Sequence, residues 1–475
     1  MSARPITASV LLGALLSAAL TACADKAHAP AAAVPRAAPA APGATSAGDP
    51  IVPGGGNGGY DVQHYDLDLR ITPRGRPSLA GTTTITATAT QALSRFDLDL
   101  TGLDVSKVTV GGAPATYTRA PGKLVVTPPK PISKGRFTVG VTYSGTPVAV
   151  TDRALGKYGW IPTDDGIFVG DEPDGAHTWF PGNDHPQDKA TFGFRVTVPS
   201  GLTAVANGEL TGTTRSGKSA TYTWQARDPM ATYLATVDVG RFKTRTGRTP
   251  GGVPVFVAVD READPTGLDS LYDDTVKVTD AWAKLFGPYP FSSTGAVVQD
   301  APVQFALETQ TRPEYVPGMA AIPTVVAHEL SHQWFGDSVT VTRWSDIWLN
   351  EGFATYAEWM WGERDGSGQT VQQQFDGRYS QRQSTDLWNV PPADPGRAGL
   401  FGRSVYDRGA MTLHALRKKV GDQRFFAILR AWTTEHRHGN ATTAQFIALA
   451  QRVSGMDLRR LFQVWLYDRG RPVNW

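Results

Sequence analysis

The sequence predicts a multidomain α+β protein: an amino-terminal antiparallel β domain, sandwich- or saddle-like, followed by a mainly helical domain. Three observations predict it. The chain has 475 residues, too many for one ordinary hydrophobic core. From Tyr60 to about Lys243, apolar and polar residues alternate in short runs such as "YDVQHYDLDLRI" and "GTTTITATAT", punctuated by Gly and Pro, which is the period-two pattern of antiparallel strands. After "GRTPGG" at 247–252 a short strand "VPVFVAV" gives way to helical periodicity.

The first element is "MSARPITASVLLGALLSAALTAC": one basic residue, Arg4, an apolar run from Ile6 to Leu20, then small residues. This reads as a signal peptide over 1–22, too short for a transmembrane helix. Cys23 is the only cysteine, so no internal disulfide is available. It stands directly after "LTA", which resembles a bacterial lipobox; the alternative is an ordinary cleaved signal with a chance cysteine. The lipobox reading implies secretion across the cytoplasmic membrane and a lipid anchor at the bacterial cell surface. Residues 23–50 are almost entirely Ala, Pro, Gly and Ser, with little bulky apolar surface to bury, and read as a tether.

The β domain is assigned to 51–246 and the helical domain to 247–475. Helical patterns fall at 268–286, 323–335, 346–362, 404–419, 422–435, 443–453 and 457–467. No mature segment is apolar enough to span a membrane, so membrane contact is expected only through Cys23. With 46 basic against 44 acidic residues the net charge is +2, which argues against nucleic acid as a partner.

The stretch "VVAHELSHQW" at 325–334 places His328 and His332 one turn apart on a helix that Pro323 can open and Gly336 can follow. Two imidazoles so spaced reach one ion, and Glu329 falls beside its open position. A solvated helix with two exposed histidines is the plainer alternative. Against it, Val325, Val326, Ala327, Leu330, Trp334 and Phe335 bury most of the helix circumference. A zinc hydrolase also wants a third protein ligand, and "WSDIWLNEGFATYAEW" supplies Glu351 on a following helix, eighteen residues intervening after His332. The mixed imidazole and carboxylate set points to one Zn2+ per chain. The chemistry that follows is a metal-activated water with Glu329 as general base and proton carrier to a leaving amine.

HELSH, eighteen residues, then the glutamate of NEGFATY resembles the gluzincin aminopeptidases of the aminopeptidase N family. The resemblance implies a thermolysin-like zinc catalytic domain. "VQFALETQT" at 303–311 falls where that family carries its GAMEN motif: Ala306 keeps the alanine and Glu308 the glutamate, while Phe305, Leu307 and Thr309 replace Gly, Met and Asn. By resemblance, Glu308 holds the substrate's free α-amino group, Ala306 belongs to the substrate-binding strand, and Glu172 in "GDEPDGAHTWF" is a second amine-binding acid. Tyr406 in "SVYDRG" matches the tyrosine whose phenol stabilises the oxyanion. Phe305, Leu307 and the loop near Glu172 are expected to shape the first subsite. His177 and His185 lack metal spacing to a partner and read as structural; His436 and His438 read as a solvated helix end. Full-length family members continue into a long helical domain that roofs the site, so a more open site is expected here.

The leading reading is a secreted, lipid-anchored, monomeric zinc aminopeptidase acting on peptides with a free amino terminus. Two others stay open: a zinc endopeptidase or a hydrolase of another bond such as an epoxide, and a cell-surface peptide-binding lipoprotein with a structural metal. The last fits poorly with Glu329 and Tyr406, because a structural zinc takes four protein ligands and needs no general base.

Overall fold

The computed structural model describes residues 39–475 apart from 75, 76 and 264; the expected signal peptide, Cys23 and the first part of the tether lie outside them. No described helix is long and apolar enough to cross a membrane.

The amino-terminal half is built on an eight-stranded sheet in the order Glu209–Ser216, Ser219–Ala231, Lys189–Pro199, Tyr60–Thr72, Ser78–Ala89, Gly135–Gly145, Asp104–Val110 and Ala113–Pro114. Alternation dictates its two faces. In Tyr60–Thr72, Tyr65, Leu67, Leu69 and Ile71 are buried, while Asp66, Asp68 and Arg70 point outward. One expectation is corrected: the sheet is mixed, because Lys189–Pro199 runs parallel to Tyr60–Thr72. The chain returns to that central strand after a long excursion, and only the register over distance, which local alternation does not encode, fixes its direction.

A five-stranded sheet, in the order Val150–Asp152, Gly156–Pro162, Ile167–Gly170, Val237–Gly240 and Thr203–Ala206, carries the loop with Glu172 at one end. A further four-stranded sheet joins Phe242–Arg248, Pro254–Asp260, Thr294–Val298 and Glu314–Tyr315. Its first strand crosses the 246/247 line drawn from sequence and pairs along its full length with Pro254–Asp260.

The tether does not stay free to residue 50. Ala41–Pro42 pair with the strand Leu93–Asp99, and Asp49 is buried, accepting hydrogen bonds from the backbone N–H of Ile51 at 2.8 Å and of Trp344 at 2.9 Å. A short polar side chain that satisfies backbone donors from two elements orders chain that composition alone would leave loose.

The helices follow their apolar stripes. Leu268–Phe286, Asp422–Glu435 and Thr443–Ser454 match the periodicity within a residue. Pro323–His332 ends three residues early and Trp348–Asp365 runs three further. The pattern at 404–419 opens as a π turn over Ser404–Arg408 before the helix Gly409–Val420, and the last pattern splits into Arg459–Phe462 and a second π turn, Gln463–Tyr467. Val371–Tyr379 and Thr385–Trp388 are additional helices.

Candidate active site

The HExxH helix Pro323–His332 opens with Pro323 in its first turn, where a missing N–H costs nothing. Trp282 of the helix Leu268–Phe286 donates its indole N–H to the carbonyl of Ala327 at 3.0 Å, and Ser331 Oγ donates to the carbonyl of His328 at 2.8 Å. Gly336, with φ +132°, follows; a Cβ there would lie 3.2 Å from His332 Nδ1, so only glycine lets the chain turn this close beneath the ring.

The second element is Trp348–Asp365. Its Gly352 packs directly on Gly409, where an added Cβ would meet backbone at 2.9 Å, so the helices bearing Glu351 and, one turn away, Tyr406 touch backbone to backbone. The π turn with Tyr406 is pinned by Arg408, fully buried, which donates to the carbonyls of Trp388, Val464, Trp465 and Asp468 at 3.0, 3.0, 2.9 and 2.6 Å. Such single π turns inside helices recur at functional sites.

These elements bring His328 Nε2 within 3.4 Å, and His332 Nε2 within 3.5 Å, of Glu351 Oε2. Ligands bound to zinc at about 2.0–2.2 Å in a tetrahedron stand about 3.3–3.6 Å apart, so both imidazole-to-carboxylate distances suit the ion, and three protein ligands leave a fourth position. The rings are oriented from behind: His332 Nδ1 lies 3.0 Å from the carbonyl of Phe335 and His328 Nδ1 lies 3.4 Å from Glu358. Both leave Nε2 as the metal-facing atom.

Glu329, Glu308 and Glu172 close around this triangle. Ligating atoms of Glu308, Glu329 and His332 lie within 4.8 Å of one another, as do those of Glu172, Glu308 and Glu351. Glu308 Oε1 and Glu172 Oε1 are buried with no hydrogen-bond partner. A cavity of about 270 Å³ is lined by Glu172, Glu308, Glu329, Glu351 and Glu358, with Ala306 and Tyr406 also in its wall and no Lys or Arg. Burial pushes the Glu329 carboxyl up to about 7 against the opposing charges of His328 and His332. Glu172 is raised strongly, first by burial and then by the charge of Glu308. Burial alone would raise Glu351 too, but the charge of His332 and hydrogen bonds from both imidazoles hold it near 2. Burial lowers His332, yet Glu308 and Glu351 outweigh it and hold it at about 9. The cleft thus draws positive charge, which a divalent cation and an ammonium group would both supply.

Tyr406 lies almost parallel to the His328 ring, 6.1 Å away, and burial followed by the charge of Glu351 keeps its phenol protonated, hence a donor. Beside it opens a second cavity of about 500 Å³, walled by Phe305, Phe401, Tyr158, Leu155, Val303 and Leu307.

Residues 61–234 match the peptidase M1 N-terminal domain and residues 306–465 the peptidase family M1 domain. The crystal structure of an M1 zinc metallopeptidase from Deinococcus radiodurans superposes with a TM-score of 0.82 at 34% identity, over 90% of this chain and 98% of that one. The chain belongs to the peptidase M1 family. A mutant of the Deinococcus radiodurans M1 enzyme, bound to a Tyr-Ser-Ala substrate, aligns with a TM-score of 0.81 at 34% identity, over 90% of this chain and 98% of that one. Tricorn protease-interacting factor F2 of Thermoplasma acidophilum is 26% identical over 444 residues, 87% of this chain and 53% of its own length. Aminopeptidase M1 of Arabidopsis thaliana is 28% identical over 327 residues, 64% of this chain and 37% of its own. The chain therefore spans about half or less of the curated relatives' length.

In this M1 chain the eight residues given catalytic, metal or substrate roles from sequence, His328, Glu329, His332, Glu351, Glu308, Glu172, Ala306 and Tyr406, line one cleft. His177 and His185 sit apart, paired with Asp184 at 3.1 Å and Asp49 at 3.4 Å. His436 and His438 are half-buried rather than solvated: His436 packs at a tilt against Trp432 with ring centres 4.4 Å apart, and His438 likewise against Phe291 at 5.7 Å. Sequence reasoning missed Glu358, although its place two helical turns beyond Glu351 signals the same face. It also missed Phe401 and Tyr158, for which no local signal exists.

Proposed function

We propose that the chain is a zinc-dependent aminopeptidase that releases single residues from peptides with a free amino terminus. The observation that carries the reading is the pair of buried, unpartnered carboxylate oxygens of Glu172 and Glu308 beside the zinc-shaped triangle. A buried carboxylate without a donor is costly, and a substrate ammonium repays that cost only when the peptide's first residue sits at the metal. An endopeptidase has no use for such a pair.

His328, His332 and Glu351 would hold one Zn2+ per chain, which when bound would supply an acidified water and a Lewis acid for the scissile carbonyl. Glu308 and Glu172 accept hydrogen bonds from the ammonium group and fix the first residue. Glu329 takes the proton of the attacking water and passes it to the departing amide nitrogen, so that water adds across the C–N bond and yields an amino acid and a shortened peptide. Tyr406 donates its phenolic hydrogen to the carbonyl oxygen as negative charge gathers there. The aromatic cavity beside Glu172 receives the first side chain, which favours bulky apolar and aromatic residues. The same reading has the enzyme monomeric and secreted, anchored outside the cytoplasmic membrane through lipidated Cys23. Detergent-phase partition that is lost on Cys23→Ala checks the anchor.

The test is release of the first residue from a free tripeptide and from its acetylated twin, with and without 1,10-phenanthroline. The expected outcome is cleavage of the free peptide alone, abolished by the chelator and restored by Zn2+, with Phe preferred to Gly in first position by about 10–200-fold. Equal cleavage of the acetylated peptide would sink the proposal.

A further inference from the structure

We infer that Gln333 sets the distance between the metal-binding face of the HExxH helix and the amine-binding carboxylate of Glu308, and so fixes which peptide bond meets the metal. The inference rests on the aminopeptidase reading above. Gln333 directly follows His332 and is fully buried. Its side-chain amide is used in both directions on one hairpin: Nε2 donates to the carbonyl of Glu308 at 3.1 Å, and Oε1 accepts the N–H of Thr311 at 2.7 Å. The single phenolic hydrogen of Tyr289 is shared between the carbonyl of Ser293 at 3.0 Å and the same Oε1 at 3.3 Å.

The hairpin itself is stiff. Leu307 and Glu314 exchange backbone hydrogen bonds of 2.9 and 2.7 Å, and Thr309 Oγ1 closes onto the carbonyl of Arg312 at 2.5 Å. Thr311 sits at φ +68°, which a β-branched residue adopts only when its surroundings demand it. That conformation aims its N–H at Gln333, while its hydroxyl accepts the N–H of Gly208 at 2.7 Å. Asn207 holds the carbonyl of Gln310 at 2.8 Å. The tip of the hairpin is thus fastened to the β domain, and Gln333 alone supplies the amide link from the residue after a metal ligand to the backbone of Glu308. Glu308 Oε1 ends 4.0 Å from His332 Nδ1.

An aminopeptidase must hold an ammonium group two bonds from the carbonyl it attacks, and a misplacement of about 1 Å costs on the order of 100-fold in rate. A link between the two binding groups that is one residue long is a direct way to keep that spacing. Ordinary burial of a satisfied glutamine would contribute stability but no ruler.

The experiment uses the zinc-loaded full chain, wild type, Gln333→Met and Gln333→Asn, on two peptides that differ only in the first residue. One starts with an α-amino acid; the other starts with its β-homologue, whose amine is one methylene further from the carbonyl. Wild type is expected to favour the α-peptide by about 100-fold or more. Gln333→Met, which fills the space and loses both hydrogen bonds, is expected to cut that ratio at least about 10-fold, chiefly through KM, with zinc content unchanged. Gln333→Asn keeps an amide one methylene too short to reach both partners; it should move the ratio the same way by less, and it carries the test if the Met variant does not fold. Rates that fall in proportion on both peptides, leaving the ratio at its wild-type value in the folded variants, overturn the inference. Acetylated peptide separates the two claims: cleavage of it by wild type defeats the aminopeptidase reading, whereas an amine-dependent wild type with an unmoved ratio in the variants defeats only the ruler.

Discussion

Two buried clusters of charge in this chain invite comparison. In the β domain, Asp99 takes hydrogen bonds from Lys123, from Asn57 Nδ2 at 2.8 Å and from the N–H of Asp184 at 2.8 Å. Asp184 in turn takes one from Thr232 at 2.7 Å and two from His177, at 3.0 and 3.1 Å. Both oxygens of Asp99 and both of Asp184 are occupied. In the cleft, Glu172 and Glu308 each keep a buried oxygen with nothing attached. Burying charge is common to both regions; the difference is that one is complete within the protein and the other waits for something to complete it. The difference separates a fastening from a binding site without recourse to the identity of either.

The comparison can be broken from the cleft side first. Glu329→Gln should lower kcat by about 10²–10⁴-fold while zinc content by atomic absorption stays at one per chain, because a general base is lost and no ligand is. Glu308→Gln should lower kcat/KM for a free peptide by about 10–100-fold, the range of a lost charge-assisted hydrogen bond, with zinc content unchanged. If cleavage of the free peptide stays at the wild-type rate, the open oxygen is not an amine site.

The β-domain cluster should respond in stability instead. Asp99→Asn leaves Lys123 buried without its counter-ion and is expected to cost about 3–5 kcal/mol in urea unfolding, while KM stays at the wild-type value. The smallest effect is on pH dependence. Burial lowers His177, but the hydrogen bond and charge of Asp184, with the charges of Asp174 and Asp99, outweigh it and hold the imidazole at about 9 against an ordinary 6.5. A raised folded-state pKa gives stability that is full below 6.5 and lost as pH climbs through 9. The urea midpoint should therefore drop between those values in wild type and drop less in His177→Gln; equal slopes would mean the pair contributes nothing.

How much of this was legible in the sequence differs between the two regions for the same reason. Metal ligands demand particular residue types at particular helical spacings, so His328, Glu329, His332 and Glu351 declare themselves locally. Glu308, Glu172 and Tyr406 became legible only through likeness to a family, since a carboxylate in a loop or a tyrosine on a helix has no signature of its own. The partners that complete the β-domain cluster come from strands and loops far apart in the chain, as Asn57, Asp99, Lys123, His177 and Thr232 do, and no periodicity announces them. Among the helices, Leu268–Phe286 was evident from its wide apolar stripe, whereas Val371–Tyr379, "VQQQFDGRY", buries only Val371 and Phe375 and gives periodicity little to report. The parallel pairing of Lys189–Pro199 was invisible because an alternating strand looks the same whichever way its neighbour runs.

The contact of Gly352 with Gly409 sets a limit on redesign. The spacing between Glu351 and Tyr406 is maintained by atoms that are missing, two absent methyl groups at a point where two backbones meet. On the proposed reading, cavity walls such as Phe401 can be exchanged to retune which side chain enters, but an added Cβ at this junction meets backbone at 2.9 Å and wedges the two helices apart. A mutational library aimed at new substrates gains nothing by sampling these two positions.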